Sequence, residues 1–294
     1  MTARPFSLPR LAAGLALGLS LAVPALAEDP GARLGATLAS LEERLGARAG
    51  VVLVDTATGR RWGYRAQERF AMNSTVKVPV CGAILERAEH GSLALDDVLP
   101  VPEEEILDYA PVTEKAAGGG MAIGDLCLAA LDMSDNTAAN LLIDRLGGPQ
   151  AVSAFLRALG DPVSRLDRRE PALNDVPPGE LQDTTTPAAM AASLQALFLG
   201  DALSPASRAQ LAGWMSHGGV TGALVRAEAP AGWQIADKSG AGAQTRNLVA
   251  LVTPPGRDPW VLAMYLEAPG RDFATRNAAL REIGAAALGV IAGR

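Results

Sequence analysis

The chain contains only two histidines among its 294 residues, and they stand far apart in the sequence, at His90 and His217. Neither lies near a group of cysteines, of which there are also only two. A catalytic zinc site needs about three protein ligands and is usually rich in histidine. This scarcity argues against a metal-dependent enzyme. We interpret both histidines as structural, and we expect neither a metal nor a cofactor.

An excess of positive charge is also missing. The formal net charge is −6 at pH 7, and the basic residues form no long run. Proteins that bind nucleic acid neutralise its phosphates with clustered lysines and arginines. We therefore expect no nucleic-acid partner.

Long apolar runs are absent except for Leu11–Val23, which at about 13 residues is shorter than the roughly 20 that a membrane-spanning helix needs. Arg4 and Arg10 precede this run, and Ala25-Leu26-Ala27 follows it as a small-x-small cleavage site. This order is typical of a secretory signal peptide. We predict that residues 1–27 are removed after Ala27 and that the mature chain is periplasmic, without membrane attachment. An uncleaved anchor is the alternative.

Lysine is the scarcest charged residue, with three lysines against 23 arginines. Two of the three stand beside a serine: Lys77 in Ser74-Thr75-Val76-Lys77, and Lys238 in Lys238-Ser239-Gly240. Lysine is a compact amine whose pKa moves readily with burial, whereas arginine stays charged. Lysines retained in such a chain indicate chemistry that a guanidinium cannot perform. A single S-x-x-K arises easily by chance, so the order of the remaining motifs matters.

Ser134-Asp135-Asn136 lies between the two lysine motifs. The order S-x-x-K, S-D-N, K-[ST]-G marks serine β-lactamases and penicillin-binding proteins. Glu170-Pro171-Ala172-Leu173-Asn174 follows the second motif and has the form E-x-x-L-N. With these four motifs in one order, the chain resembles the class A serine β-lactamases, and the likeness covers nearly all of the mature chain. It extends to a tyrosine loop at Tyr109 and to an omega loop over residues 165–183.

The order of predicted elements places strands at both ends of the chain and helices between them. Strands near the two ends of a chain are expected to lie in one sheet. The resemblance implies an α+β fold with a five-stranded antiparallel sheet, flanked by N- and C-terminal helices, and an active site in the cleft beside an inserted helical domain. We therefore predict a sheet domain over residues 28–72 and 216–294 and a helical domain over 73–215. The individual predictions are helices over 32–46 and 273–291 and strands over 51–55, 61–64, 234–238, 247–253 and 260–266.

The resemblance implies that Ser74 is a nucleophile, which needs a base because a hydroxyl is unreactive at its free pKa. Lys77 lies one helical turn away on the same face. Whether Lys77 or Glu170, acting through a water, takes the proton during acylation stays open. Ser134 would pass a proton to the departing lactam nitrogen. Glu170 and Asn174 would hold the water that hydrolyses the acyl-enzyme, and the family has a cis peptide bond after that glutamate.

The implied substrate-binding residues are Tyr109, Asn136, Asn174, Lys238, Ser239, Gly240, Ala241 and Arg246. Asn136 would bind the amide of the substrate, and Lys238 with Ser239 its carboxylate. The backbone N–H groups of Ser74 and Ala241 would form the oxyanion hole, and Arg246 would add positive charge. For Ser134-Asp135-Asn136 a second interpretation is helix capping, a role that these residue types suit.

Two cysteines in an exported protein favour a disulfide, and the resemblance implies the pair Cys81–Cys127. Two buried free thiols are the alternative. The proline-rich omega loop cannot form long helices. The resemblance implies that a salt bridge between Arg168 and Asp183 closes it, the alternative being two solvated charges.

Together these residues predict a hydrolase of β-lactams with an acyl-enzyme on Ser74, preferring penicillins to early cephalosporins. We expect a monomer whose partners are β-lactam substrates. A D-alanyl-D-alanine peptidase and a β-lactam-sensing binding module are the alternatives. Asn73 departs from the cysteine or methionine common in relatives. Because Asn73 and Gly242 stand at the two positions of the second disulfide found in some carbapenem-hydrolysing relatives, that disulfide cannot form here. Its absence argues against carbapenem hydrolysis.

Overall fold

The computed structural model describes residues 1–2 and 30–293. The predicted signal peptide, from residue 3 onward, and its cleavage site after Ala27 lie outside the described residues. Within the described ranges, no helix is both long enough and apolar enough to cross a membrane.

Five of the strands form one antiparallel sheet in the order β2-β1-β9-β8-β7, so that the N-terminal and C-terminal strands are direct neighbours. This arrangement confirms the predicted α+β class and the five-stranded sheet. Two short pairs, β3 with β6 and β4 with β5, lie outside it. The strands are β1 (Arg48–Asp55), β2 (Arg61–Tyr64), β3 (Phe70–Ala71), β4 (Val98–Pro100), β5 (Gly120–Ala122), β6 (Thr184–Thr185), β7 (Gln234–Ala241), β8 (Thr245–Thr253) and β9 (Trp260–Glu267).

The first and last helices flank the sheet, and the others follow the motif order of the central segment. They are α1 (Pro30–Leu45), α2 (Lys77–Glu89), α3 (Ile123–Asp132), α4 (Asn136–Leu146), α5 (Pro149–Ala158), α6 (Pro187–Phe198), α7 (Pro205–Trp214), α8 (Val225–Glu228) and α9 (Phe273–Ala292). Short 3-10 turns occur at Asn73–Val76, Glu103–Glu105, Thr113–Ala116 and Ala172–Asn174.

The central strands are buried on both faces, and successive side chains of a strand point to opposite faces. In β1, Val51 and Leu53 pack into a core with the leucines of α1 and the aliphatic side chains of α9. Val52 and Val54 pack into the other core, which continues through α2, α3 and α4. The sheet therefore separates two apolar cores, and strands of this kind read as continuous apolar runs. The predicted division into two domains is not tested by this arrangement and stays a prediction.

Helix α2 lies at the centre of the helical region, because every residue from Lys77 to Leu85 is buried. It packs on α3, α4, α5, α6 and α7. A 3-10 turn over Asn73–Val76 leads directly into it and contacts β7 and β8. The start of α2 therefore meets the edge of the sheet, where both lysine motifs lie.

The omega loop, residues 165–183, is closed by a pair of charges. Arg168 Nε lies 2.5 Å from Asp183 Oδ2, and the Asp183 carboxylate is fully buried. Its second oxygen accepts hydrogen bonds from the backbone N–H groups of Asp167 and Arg168. Directly after the loop, β6 pairs with β3, three residues before Ser74. The loop is thereby held against the chain that leads to the nucleophile.

The predicted disulfide is wrong for this structure, because Cys81 and Cys127 are both free thiols. Cys81 Sγ instead lies 3.8 Å from the backbone carbonyl oxygen of Cys127, to which its thiol donates. Burial raises the pKa of the Cys127 thiol well above its usual range. The two residues therefore pack between α2 and α3 as small apolar side chains.

Candidate active site

Ser74 lies in the 3-10 turn at the start of α2 and faces a cleft of about 540 Å³. The cleft is bounded by the helical region on one side and by β7 on the other. Its lining includes Tyr109, Ser134, Asn136, Ser239 and Arg246. The structure thus brings the three motif regions S-x-x-K, S-D-N and K-S-G to one cavity, although more than 160 residues separate the first from the last.

Lys77 and Glu170 meet beneath Ser74 with side chains that are fully buried. Lys77 Nζ lies 3.1 Å from Glu170 Oε1 and donates to Asn136 Oδ1 at 2.7 Å and to the Ser134 carbonyl at 2.8 Å. Burial lowers the pKa of Lys77, and the negative charge of Glu170 opposes that shift. The Ser74 hydroxyl donates to the same Glu170 oxygen at 3.3 Å. Among the described residues, no hydrogen bond joins Ser74 Oγ to Lys77 Nζ.

Ser134 lies between α3 and α4 with a backbone φ of 59°. Its hydroxyl accepts hydrogen bonds from Lys238 Nζ at 2.9 Å and from Lys77 Nζ at 3.4 Å. The next residue, Asp135, is the N-cap of α4 and accepts from the backbone N–H of Ala138. It also accepts from the backbone N–H and the hydroxyl of Thr113. The aspartate therefore caps the helix, while the serine faces the two lysines.

Lys238 lies on β7 and is fully buried. It donates to Ser134 Oγ and, at 2.6 Å, to the carbonyl oxygen of Ser239. Burial holds its pKa well below the usual lysine range, and the positive charges of Lys77 and Arg246 lower that pKa further. An anionic ligand group beside this amine would favour its charged form, because an opposite charge nearby opposes the effect of burial on the pKa.

Asn140 positions Glu170 through the backbone. Its side-chain oxygen accepts from the Glu170 N–H at 2.9 Å, and its amide nitrogen donates to the Glu170 carbonyl at 2.9 Å. Asn174 Nδ2 donates to Glu170 Oε2 at 2.5 Å, and the Glu170–Pro171 peptide bond is cis. Sequence reasoning missed Asn140. Its signal was its spacing of four residues from Asn136, which places both on one face of α4.

Arg246 lies on β8 directly opposite Ala241 of β7. It donates to the carbonyl of Gly240 at 3.0 Å and to Asn277 Oδ1 at 2.6 Å. Burial lowers its pKa to about 10, and the positive charge of Arg276 contributes to the shift. Asn277 and Arg276 lie on α9 and carry no motif, so sequence reasoning did not find them. The guanidinium extends the positive end of the cleft.

Strand β7 approaches the nucleophile very closely. A Cβ atom built on Gly240 would lie 3.2 Å from the backbone nitrogen of Ser74. A side chain there would keep the strand away from Ser74, so glycine permits the approach. Tyr109 lies on the rim of the same cleft, with 46% of its surface exposed. Its carbonyl accepts from the backbone N–H of Asn136.

The cleft therefore combines a hydroxyl, two buried amines and a carboxylate in one hydrogen-bond network, with a guanidinium at its end. This is a constellation for acyl transfer, in which a base activates the hydroxyl and cations hold an anionic substrate group. Within residues 30–293, no cluster of histidine, cysteine, aspartate and glutamate could hold a metal ion.

Comparison with known proteins finds that this chain is similar to beta-lactamases. The sequence profile of the beta-lactamase enzyme family matches residues 33–291. A beta-lactamase from Rhodobacter capsulatus is 56% identical over 284 residues, which cover 97% of each chain. The structure of an ancestral class A beta-lactamase is 50% identical with a TM-score of 0.83, covering 86% of this chain and 98% of that one. The structure of a beta-lactamase from Xanthomonas campestris is 43% identical with a TM-score of 0.87, covering 90% and 99%.

Proposed function

This chain belongs to the class A serine β-lactamases, hydrolases of β-lactams, and we propose that it opens penicillins through an acyl-enzyme on Ser74. Early cephalosporins would be weaker substrates. A hydroxyl, a carboxylate and two buried amines in one cleft support this reaction. The proposal depends above all on the contacts of the Glu170 carboxylate. Its Oε1 accepts from Ser74 at 3.3 Å, and its Oε2 accepts from Asn174 at 2.5 Å.

In the acylation step, the Ser74 oxygen attacks the lactam carbonyl and the C–N bond of the ring breaks. The Ser74 proton passes to Glu170 or Lys77. Glu170 Oε1 accepts from the Ser74 hydroxyl and also lies beside Lys77 Nζ. Ser134 gives a proton to the departing nitrogen and regains one through Lys77 or Lys238, which both donate to its hydroxyl. The backbone N–H groups of Ser74 and Ala241 stabilise the negative charge on the carbonyl oxygen.

In the deacylation step, Glu170 accepts a proton from a water molecule, whose oxygen attacks the acyl carbonyl. The C–O bond to Ser74 then breaks, and the Ser74 oxygen takes the proton back from Glu170. Asn174 orients the Glu170 carboxylate, and Asn140 holds its backbone on both sides. A peptidase or a β-lactam-sensing module on the same scaffold would lack such a base and stay acylated. The placement of Glu170 within hydrogen-bond distance of Ser74 therefore favours the hydrolase.

Substrate recognition follows from the charges of the cleft. The carboxylate of a β-lactam would bind Lys238, Ser239 and Arg246, and its side-chain amide would bind Asn136. Gly240 allows β7 to lie against the substrate, and Tyr109 would pack on it from the rim.

The N-terminal pattern supports export to the periplasm with cleavage after Ala27. We propose that the mature enzyme is a monomer, since the whole site lies within one chain. The two apolar cores support a division into a sheet domain, residues 28–72 and 216–294, and a helical domain, residues 73–215.

A steady-state assay with benzylpenicillin and a chromogenic cephalosporin tests the proposed reaction. We expect many turnovers per enzyme and a higher kcat/KM for the penicillin. One product per enzyme would identify a penicillin-binding protein or a sensing module instead. The Ser74→Ala variant is the control, because it should neither turn over nor become acylated.

A further inference from the structure

Three asparagine side chains join the backbone of the sheet to the Glu170 carboxylate. They are Asn247 on β8, Asn73 before the nucleophile and Asn174 in the omega loop; we call them the amide relay. Asn247 Nδ2 donates to Asn73 Oδ1 at 2.8 Å, and Asn73 Nδ2 donates to Asn174 Oδ1 at 3.0 Å. Asn174 Nδ2 then donates to Glu170 Oε2 at 2.5 Å.

The direction of the amide relay is set at its start by the backbone, whose donors and acceptors cannot exchange. The N–H of Leu266 donates to Asn247 Oδ1 at 3.3 Å. Asn247 Nδ2 meanwhile donates to the carbonyl of Ala71 at 2.9 Å. Rotating this amide by half a turn would set oxygen against a carbonyl and nitrogen against an N–H. Asn247 must therefore present its Nδ2 to Asn73.

The orientation of Asn247 also fixes that of Asn73. Asn73 Oδ1 accepts from Asn247 and also from Thr245 Oγ1 at 2.7 Å. With its oxygen held by two donors, Asn73 can offer only its nitrogen to Asn174. Asn174 must then turn its own nitrogen to Glu170, whereas a reversed amide would set its oxygen against the carboxylate.

Asn73 is built into this position. It is fully buried, and its backbone φ is 48°, a region that asparagine tolerates better than most residues. A Cβ atom built on Gly242 would lie 2.9 Å from Asn73 Nδ2 and 2.9 Å from the carbonyl oxygen of Asn174. The amide relay therefore fills the space beside Gly242. A buried polar network of this kind rigidifies a structure when all of its hydrogen-bonding groups are paired.

We propose that Asn73 is a positioning residue for deacylation, acting through the orientation of the Asn174 amide on Glu170. This proposal rests on the proposed function of Glu170. Removing the Asn73 donor leaves Asn174 Oδ1 without this partner. Only the acceptors of Asn174 Nδ2, the Glu170 carboxylate and the Pro171 carbonyl at 3.2 Å, then still hold the amide. The hydrolytic water and its base then lose their alignment, while Ser74, Lys77 and the oxyanion hole keep theirs.

Two substitutions test the proposal because they differ in volume but both lack the donor. Asn73→Met fills the site, and Asn73→Gly removes the side chain without backbone strain at this φ. We expect both to slow deacylation roughly 10- to 100-fold, the effect of a small misplacement of reacting groups. Acylation should change far less. Stopped-flow acylation and single-turnover deacylation rates with benzylpenicillin measure the ratio, and mass spectrometry should show the acyl-enzyme accumulating.

Thr75→Val is the matched control. It removes a fully buried hydroxyl that lies next to Ser74 and bonds to the Met72 carbonyl and to Tyr265, but not to the amide relay. It should lower thermal stability without changing the ratio of deacylation to acylation. If the Asn73 variants lower both rates equally, Asn73 has only a structural role and the proposal is overturned.

A double-mutant cycle shows whether the effect passes through Asn174. In an Asn174→Ala background, Asn73→Met should leave the deacylation rate unchanged, because the amide that it orients is gone. Additive effects would contradict the proposed route. The wild-type protein separates the two failures: if it does not turn over penicillin, the proposed function is wrong, and if it does while Asn73→Met keeps the wild-type ratio, only the role of Asn73 is wrong.

Discussion

The Ser74 hydroxyl donates to Glu170 Oε1 across 3.3 Å, so the nucleophile and the proposed deacylating base share a hydrogen bond. Lys77 Nζ lies 3.1 Å from that same oxygen. The two candidate acylation bases, Lys77 and Glu170, are therefore in direct contact. A substitution of Glu170 also changes the surroundings of Lys77.

Glu170→Gln should trap the acyl-enzyme. The substitution keeps the size and one acceptor oxygen but removes the base, and general-base catalysis is typically worth about 10²–10⁴-fold. Mass spectrometry should show one penicillin added to each chain, and peptide mapping should place it on Ser74. Turnover at the wild-type rate would contradict the assignment of the base. A strong loss of acylation as well would show that Glu170 also activates Ser74.

Arg246→Leu should raise KM for penicillins about 10- to 100-fold, in line with the loss of one hydrogen bond to a charged group. The penicillin methyl ester should show a much smaller difference between wild type and variant, because it lacks the carboxylate. Arg271→Leu changes an exposed arginine outside the cleft and serves as the control. An equal loss for acid and ester would mean that Arg246 acts on the fold and not on the substrate charge.

Lys238 should make stability depend on alkaline pH. Its folded-state pKa lies well below the usual value because of burial and of nearby positive charges. Between that lowered pKa and the ordinary value of about 10.4, the unfolded chain binds more protons, so this residue makes stability rise with pH. Below the folded-state pKa, the buried charged amine lowers the stability of the folded protein by its full amount.

Urea unfolding of Lys238→Met at a series of pH values measures this effect. The free energy of unfolding of the variant, relative to that of wild type, should be highest at neutral pH. It should fall as the pH approaches about 10, because wild type becomes more stable. Lys115→Met, which alters an exposed lysine, is the matched control. A difference that stays constant with pH for Lys238→Met would show that burial does not perturb this amine.

Asp183→Ala should destabilise the omega loop. It removes a fully buried carboxylate that pairs with Arg168 and accepts two backbone N–H groups. We expect the free energy of unfolding to fall by about 1–3 kcal/mol, the cost of unpaired buried groups. Deacylation should also slow, because Glu170 lies on this loop.

The matched control for Asp183→Ala is Glu282→Ala, which breaks the exposed Arg44–Glu282 pair. Exposed pairs contribute at most about 1 kcal/mol. Equal losses of stability in the two variants would show that the loop pair behaves as a surface pair.

Much of the fold was predictable where a periodic pattern or a turn marks the ends of an element. The strand over Arg61–Tyr64 has the bounds that its turn and its residues predict, and the final helix differs from its prediction by one residue at its end. The two-residue strands β3 and β6 were missed, because a periodic pattern needs more residues than they have. The free thiols were only the alternative to the predicted disulfide, since residue type alone does not show where a sulfur points.

The motifs of the chain named the serine, the two lysines and the glutamate that line the cleft, and the order of these motifs indicated the family. The hydrogen bond from Ser74 to Glu170, and the one from Asn73 to Asn174 across 101 positions of the chain, depend on how distant segments pack. These contacts arise where the sheet packs on α2 and the omega loop. Periodicity records which face of an element is buried, but it does not record which distant side chain lies against that face.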